Sequence, residues 1–210
     1  STKSFKELFG FGWKLLVSSL IDVAWRDIYQ VVIGKCYSAA TLGHYTYANQ
    51  YGSIFSSNLT TIIQRVSYPV LSSIQDDKDR MKQAYRRVIK VTMLVTFVFM
   101  LGLAAIAKPM ILVLIGNQWY VAALFLPIIC LQMMLYPLHA INLNMLQVQG
   151  RSDLFLKLEI IKKAIAVIPL LLGIFIDIYW MLWGSVFTGI FAFYLNSYYS
   201  GKFLGYSTAD

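Results

Sequence analysis

Charge is scarce in this sequence. Of its 210 residues, 58% are hydrophobic and only 13% are Asp, Glu, Lys or Arg, against about 25% charged residues in a soluble domain. That deficit excludes an ordinary soluble domain and points to a membrane protein. Cysteine is almost absent: Cys36 and Cys130 are isolated thiols without metal-ligand spacing, expected simply to pack. The two histidines, His44 and His139, are far apart. No H-E-x-x-H, G-x-S-x-G, G-x-x-x-x-G-K-[ST] or C-x-x-C motif occurs. Asp22 and Asp27 point more than about 100° apart on a helix, and Asp76, Asp77 and Asp79 sit in a basic stretch. Neither arrangement gives the facing carboxylates of glycosyl chemistry. No enzyme activity, metal, cofactor or ATP use by the chain itself is expected. A signal peptide pattern is also lacking, and the opening "STKSFKELFG" reads as a mid-protein boundary.

What is present is a series of long apolar runs. Six hydrophobic segments fall at roughly 12–34, 43–68, 88–107, 120–147, 160–176 and 178–199, each near the length of about 20 residues that spans a bilayer. The third, "VIKVTMLVTFVFMLGLAAIA", is the clearest, and the fifth and sixth meet at a tight turn at Asp177. Between the third and fourth, "KPMILVLIGNQWY" reads as a short interfacial piece broken by Pro109 and Gly116, with Trp119 and Tyr120 at headgroup depth. The net charge of +8 is distributed as a membrane topology rather than as a nucleic-acid surface, so no nucleic-acid partner is expected. The start carries Lys3, Lys6 and Lys14. Lys78, Arg80, Lys82, Arg86, Arg87 and Lys90 follow the second span, Arg151, Lys157, Lys162 and Lys163 follow the fourth, and Lys202 follows the last. The opposite side has Lys35 and Lys108. By the positive-inside rule both ends are cytoplasmic. The expected fold is an all-α integral membrane six-helix bundle.

The first span keeps charges in its middle. On a helix, Ser18, Ser19, Asp22, Arg26, Tyr29 and Gln30 fall on one side, and Val17, Leu20, Ile21, Ala24, Ile28, Val31 and Val32 on the other. Asp22 and Arg26 are four residues apart and can pair. A charge at the bilayer centre costs about 2.5–3.5 kcal/mol, so the stripe should face protein or water. In the second span Thr46, Gln50, Ser53, Ser57, Thr61 and Gln64 repeat the pattern, flanked by Asn58 and Arg65. The fourth adds Gln132, Tyr136 and His139, with Asn142 nearby. The cavity candidates are therefore Arg26, Asp22, Gln30, Gln50, Ser57, Gln64, Arg65 and His139. Blander readings stand beside this one: a buried structural Asp22–Arg26 pair, an Arg65 that snorkels to headgroups, a hydrogen-bonded packing His139, and Ser/Thr as interhelical glue. The cavity reading is favoured because polar faces cluster in the first two spans. The last two are nearly pure hydrocarbon, with Lys162 and Lys163 assigned to the fifth helix's cytoplasmic end. Pro127, Pro137 and Pro169 lie inside spans and invite kinks.

The stretches "FGFGWKLLVSSLID", "VIGKCYSAATLGHYTYANQ", "IIQRVSYPVLSSIQDDKDRMKQAYRRVIKVT" and "LYPLHAINLNMLQVQGRSDLFLKLEIIKK" resemble the Wzx-type polysaccharide exporters of the multidrug/oligosaccharidyl-lipid/polysaccharide superfamily. The likeness covers most of residues 5–165, and the last two spans match mainly by hydropathy. The resemblance implies two facing six-helix lobes, of which this chain looks like the second, without its N-terminal partner lobe. It implies flipping of an undecaprenyl-diphosphate-linked oligosaccharide across the bacterial inner membrane by alternating access, for surface polysaccharide synthesis. A hydrophilic cavity with cationic residues would hold the sugar and diphosphate; Arg26 is the first candidate, with Arg65 and Lys35 nearer the membrane edges. Asp22 would either hold Arg26 or bind a coupling ion, H+ or Na+. The expected partners are the lipid-linked oligosaccharide, membrane lipids, the N-terminal lobe and the polysaccharide polymerase machinery. Competing readings are a multidrug or small-molecule exporter of the same superfamily and a non-transporting scaffold of an envelope polysaccharide complex. A membrane acyltransferase or glycosyltransferase lacks an acid/base constellation.

Overall fold

The structure is a computed structural model that describes residues 12–13, 16–23, 25, 27–74, 77–148 and 152–204. Among the described residues all regular structure is helical. The helices are α1 (16–23), α2 (Ile28–Cys36), α3 (Ala39–Ser73), α4 (Lys78–Ile115), α5 (Tyr120–Met133), α6 (Tyr136–Val148), α7 (Ser152–Phe175) and α8 (Ile178–Leu204), with a 3-10 turn at Asn117–Trp119. Among the described residues three stretches are long and apolar enough to cross a membrane: Asp79–Ile115, Asn117–Leu146 and Ile178–Tyr199. The chain is a multi-pass membrane protein. The outward faces of α4 and α8 are apolar, with Leu94 and Val98 on α4 and Phe187 and Phe191 on α8 exposed, which suits contact with acyl chains rather than water.

Local chemistry sets the helix ends. Ser38 caps α3, its hydroxyl accepting from Thr41 N at 3.1 Å. Asp77 caps α4 in the same way, accepting from Arg80 N at 3.0 Å. α4 then runs unbroken for 38 residues through Pro109. It ends at Gly116, whose φ of 96° lies in the left-handed region where a Cβ is disfavoured. This corrects the expectation of a separate interfacial piece at Lys108–Tyr120. Its first part is the last two turns of α4, and only Asn117–Trp119 is distinct. At 1.5 Å per residue α4 follows an axial path of about 57 Å, well beyond a hydrocarbon core of about 30 Å.

Pro137 shapes the fourth apolar segment. It has no N–H to give the carbonyl four residues back, Met133 O. The helix breaks at Met134–Leu135, and Ser56 Oγ on α3 donates to Met133 O at 2.9 Å instead. The proline-orphaned acceptor is thus satisfied from a neighbouring helix, as a low-water environment requires. Pro127 and Pro169 sit inside α5 and α7 without interrupting them.

α5 forms the centre of the main core. Ala122, Ala123, Phe125, Leu126, Ile128, Ile129 and Cys130 are buried against α3, α4 and α8. A second cluster of Leu71, Met81, Tyr85, Ile141 and Met145 ties the end of α3 and the start of α4 to α6. Beside it, Tyr85 hydroxyl donates to Asn142 Oδ1, and Asn142 Nδ2 donates to Ser197 Oγ at 3.1 Å. α7 and α8 form a hairpin through Asp177, whose carboxylate accepts from Tyr179 N at 3.3 Å. The two helices touch where Gly173 meets Met181: a Cβ on Gly173 would lie 2.8 Å from Met181 Cβ. Tyr37 hydroxyl donates to Gly173 O at this tip. Burial, Asp177 and Cys36 push its phenol above the usual tyrosine range, so it remains a donor. Cys130 packs in the core as expected, whereas Cys36 is exposed at the end of α2 and does not.

Candidate functional site

Polar and ionised side chains from seven helices converge on one cavity of about 480 Å³. α1 contributes Ser18, Ser19 and Asp22, α2 Tyr29, and α3 Thr60 and Gln64. α5 and α6 contribute Gln132, Tyr136 and His139, and α7 and α8 add Glu159, Lys162, Lys163, Ser185 and Thr188. Small residues, Ala140, Ala166, Gly189 and Ala192, leave the space open. The volume falls in the range of about 300–1,000 Å³ of small-ligand sites.

Two ion pairs organise the wall. Lys163 Nζ donates to Asp22 Oδ1 at 2.8 Å, joining α7 to α1, and its ammonium stands 6.0 Å from the centre of the Trp25 ring. Lys162 pairs with Glu159 one turn away, and Glu159 is buried. These pairs are credible in an apolar protein because each removes an otherwise uncompensated charge. His139 is held from α8, its Nδ1 lying 3.2 Å from Asn196 Nδ2, with Phe193 edge-on to its ring.

The sequence candidates separate into those that line the cavity and those that do not. Asp22, Gln64 and His139 line it, as do Ser18, Ser19 and Tyr29 of the first-span stripe. Arg26 lies outside the described residues. Gln30, Gln50, Ser57 and Arg65 are not on the cavity wall. Gln50, Ser57 and Arg65 are exposed on α3. On that exposed face Ser53, Ser57 and Thr61 return their hydroxyls to backbone carbonyls one turn back. Thr60, one position off that stripe, turns inward and donates to Ser56 O at 2.7 Å.

The expectation that the last two spans are nearly pure hydrocarbon needs correction. Glu159, Lys162 and Lys163 face the cavity rather than serving only as a cytoplasmic helix end, and Ser185 and Thr188 join them from α8. A signal was present: the three ionisable residues recur at i, i+3 and i+4, the spacing of a single helix face. What one sequence could not supply was the α1 carboxylate opposite. α3 and α7 are absent from the membrane-capable stretches for a related reason: α3 carries its polar stripe, and α7 has its charged first half.

Comparison with known proteins identifies the family. The family model described as "Polysaccharide biosynthesis protein" matches residues 1–124. The chain is 26% identical over 152 residues to the teichuronic acid biosynthesis protein TuaB of Bacillus subtilis, covering 72% of this chain and 32% of that protein. It is 22% identical over 163 residues to the lipopolysaccharide biosynthesis protein WzxC of Escherichia coli, covering 78% and 33%. It is 32% identical over 109 residues to the succinoglycan biosynthesis transport protein ExoT of Rhizobium meliloti, covering 52% and 22%. The chain thus spans between a fifth and a third of the length of these relatives. No solved structure matches it significantly. A multi-pass membrane protein, helical in the regular structure of its described residues, that shares this family model belongs to the polysaccharide biosynthesis protein family, among its Wzx-type members.

Proposed function

We propose that the chain is one lobe of an exporter that moves an undecaprenyl-diphosphate-linked oligosaccharide from the cytoplasmic to the periplasmic leaflet by alternating access. The observation that carries this reading is the inversion of polarity. Acids, lysines, hydroxyls and amides gather, among apolar side chains, at one half-open cleft of the bundle, while the outer faces of α4 and α8 are apolar. A polar headgroup crossing a bilayer needs such a path. In this reading the bundle has six spans with both ends cytoplasmic, and an N-terminal lobe faces it across the passage. The exposed hydroxyl and amide face of α3 is then the surface turned toward that lobe. Arg26, one turn from Asp22 in sequence, is assigned to the diphosphate, because a guanidinium offers paired donors to phosphate oxygens. Coupling to H+ or Na+ remains part of the proposal, with Asp22 as the acid concerned.

The test is deletion of the gene followed by localisation of lipid-linked repeat units. Export predicts that they accumulate on the cytoplasmic leaflet and that surface polysaccharide disappears. Unchanged distribution with lost polysaccharide would instead favour a scaffold role.

A further inference from the structure

We infer that the cavity between α1, α6, α7 and α8 is a subsite for an uncharged sugar ring, and that it rejects the diphosphate. The inference rests on the export reading above and divides the substrate within it.

The reasoning begins with charge. The described lining holds two acids, Asp22 and Glu159, and two lysines, Lys162 and Lys163. Each lysine is paired with one of the acids. The described wall is therefore balanced in charge, and a phosphate brought to either ammonium also meets the carboxylate paired with it, whereas the ammonium's remaining N–H donors stay open to a neutral hydroxyl. Hydrogen-bond roles point the same way. A phosphate oxygen only accepts, so a wall carrying two carboxylates opposes it. A sugar hydroxyl donates and accepts, and this wall offers both roles side by side: carboxylates that accept, ammoniums that donate, Gln64 and Gln132 that do either, and Thr188, whose proton goes to Ser185 O, that accepts. Phe155 and Tyr136 add aromatic surface for the ring's C–H faces.

Position along the helices agrees. The α3 residues involved, Thr60 and Gln64, are nearer the end of α3 at Ser73, and the α7 residues are in that helix's first half. Both ends adjoin the basic stretches at Lys78–Lys90 and Arg151–Lys163. With those stretches cytoplasmic, the subsite lies in the half of the lobe that a cytoplasmic sugar meets first.

The test uses the full-length protein in membrane vesicles, with Cys36→Ser to remove the exposed thiol and a reporter cysteine at the wall, Ala166→Cys or, independently, Ala192→Cys. The rate of maleimide reaction is measured with glucose, galactose or N-acetylglucosamine, and separately with inorganic diphosphate. At least threefold slowing by one or more sugars, with no slowing by diphosphate, is expected. Adding Glu159→Gln uncovers Lys162, and diphosphate should then slow the reaction. Protection by diphosphate without that change, or by none of the sugars, would overturn the subsite. The export reading is judged separately by the leaflet assay: accumulation without sugar protection removes only the subsite, and protection without accumulation removes only export.

Discussion

Asp22 and Lys163 are 141 positions apart in sequence, yet Lys163 Nζ donates to Asp22 Oδ1 across 2.8 Å. This contact brings α1 to the cavity's α7 wall. Either neutral variant leaves the other charge without this partner. Asp22→Asn and Lys163→Met are each expected to lower export about three- to tenfold, the equivalent of roughly 0.7–1.4 kcal/mol. The exchange Asp22→Lys with Lys163→Asp should recover at least half of the loss. Export is read as surface polysaccharide per unit of membrane-inserted protein, and a double variant as poor as either single one would show that pairing is not what matters.

Arg26 follows Asp22 by one helical turn in the sequence. Arg26→Ala is expected to abolish surface polysaccharide while leaving the protein in the membrane, and Arg26→Lys to retain part of the activity. Normal polysaccharide in Arg26→Ala would remove the proposed diphosphate contact.

Ser56 compensates for a bond that Pro137 cannot make. Ser56→Ala leaves Met133 O without that donor in a buried position, at a cost of about 1–3 kcal/mol. Thermal unfolding in detergent should show the loss. Restoring the missing donor by Pro137→Ala in the same background should recover part of it, which distinguishes the carbonyl from a simple packing defect.

Gly173 is required by the close approach of α7 and α8. Gly173→Val places side-chain atoms on Met181, where even a Cβ would be 2.8 Å from Met181 Cβ. Membrane levels should fall severalfold, and Met181→Ala should restore part of them. A full-level Gly173→Val protein would mean the hairpin separates without penalty.

The two thiols report topology. Cys36 is exposed and Cys130 is buried. An impermeant maleimide applied from the periplasmic side should label Cys36 quickly, and Cys130 only after unfolding. Labelling of Cys36 solely from the cytoplasmic side would reverse the proposed orientation.

Much of this was legible in the residues because the bilayer imposes a coarse rule: long apolar runs become helices. The run 88–107 lies within α4, and the Asp177 turn falls between α7 and α8. The Ser18–Asp22–Tyr29 stripe lines the cavity because an ionised group on an apolar helix has few other places to go. The α3 stripe was harder. Its Ser and Thr residues can satisfy themselves on their own backbone, so periodicity alone does not say which neighbour they face. Lys162 and Lys163 were harder still, since a lysine near a helix end looks the same whether it reaches water or a carboxylate on another helix. Pro137 signalled a break, but the hydroxyl that compensates for it comes from a residue 77 positions away from Met133.

The length of α4 has a mechanical consequence. A rod of about 57 Å held in a layer of about 30 Å acts as a pointer. If the lobe rocks by about 10° about a point within that layer, a tip about 30–40 Å from the pivot moves through about 5–7 Å. A spin label or fluorophore at Arg87, near the charged end, would turn a rotation too small to resolve at the cavity into a displacement that distance spectroscopy measures directly.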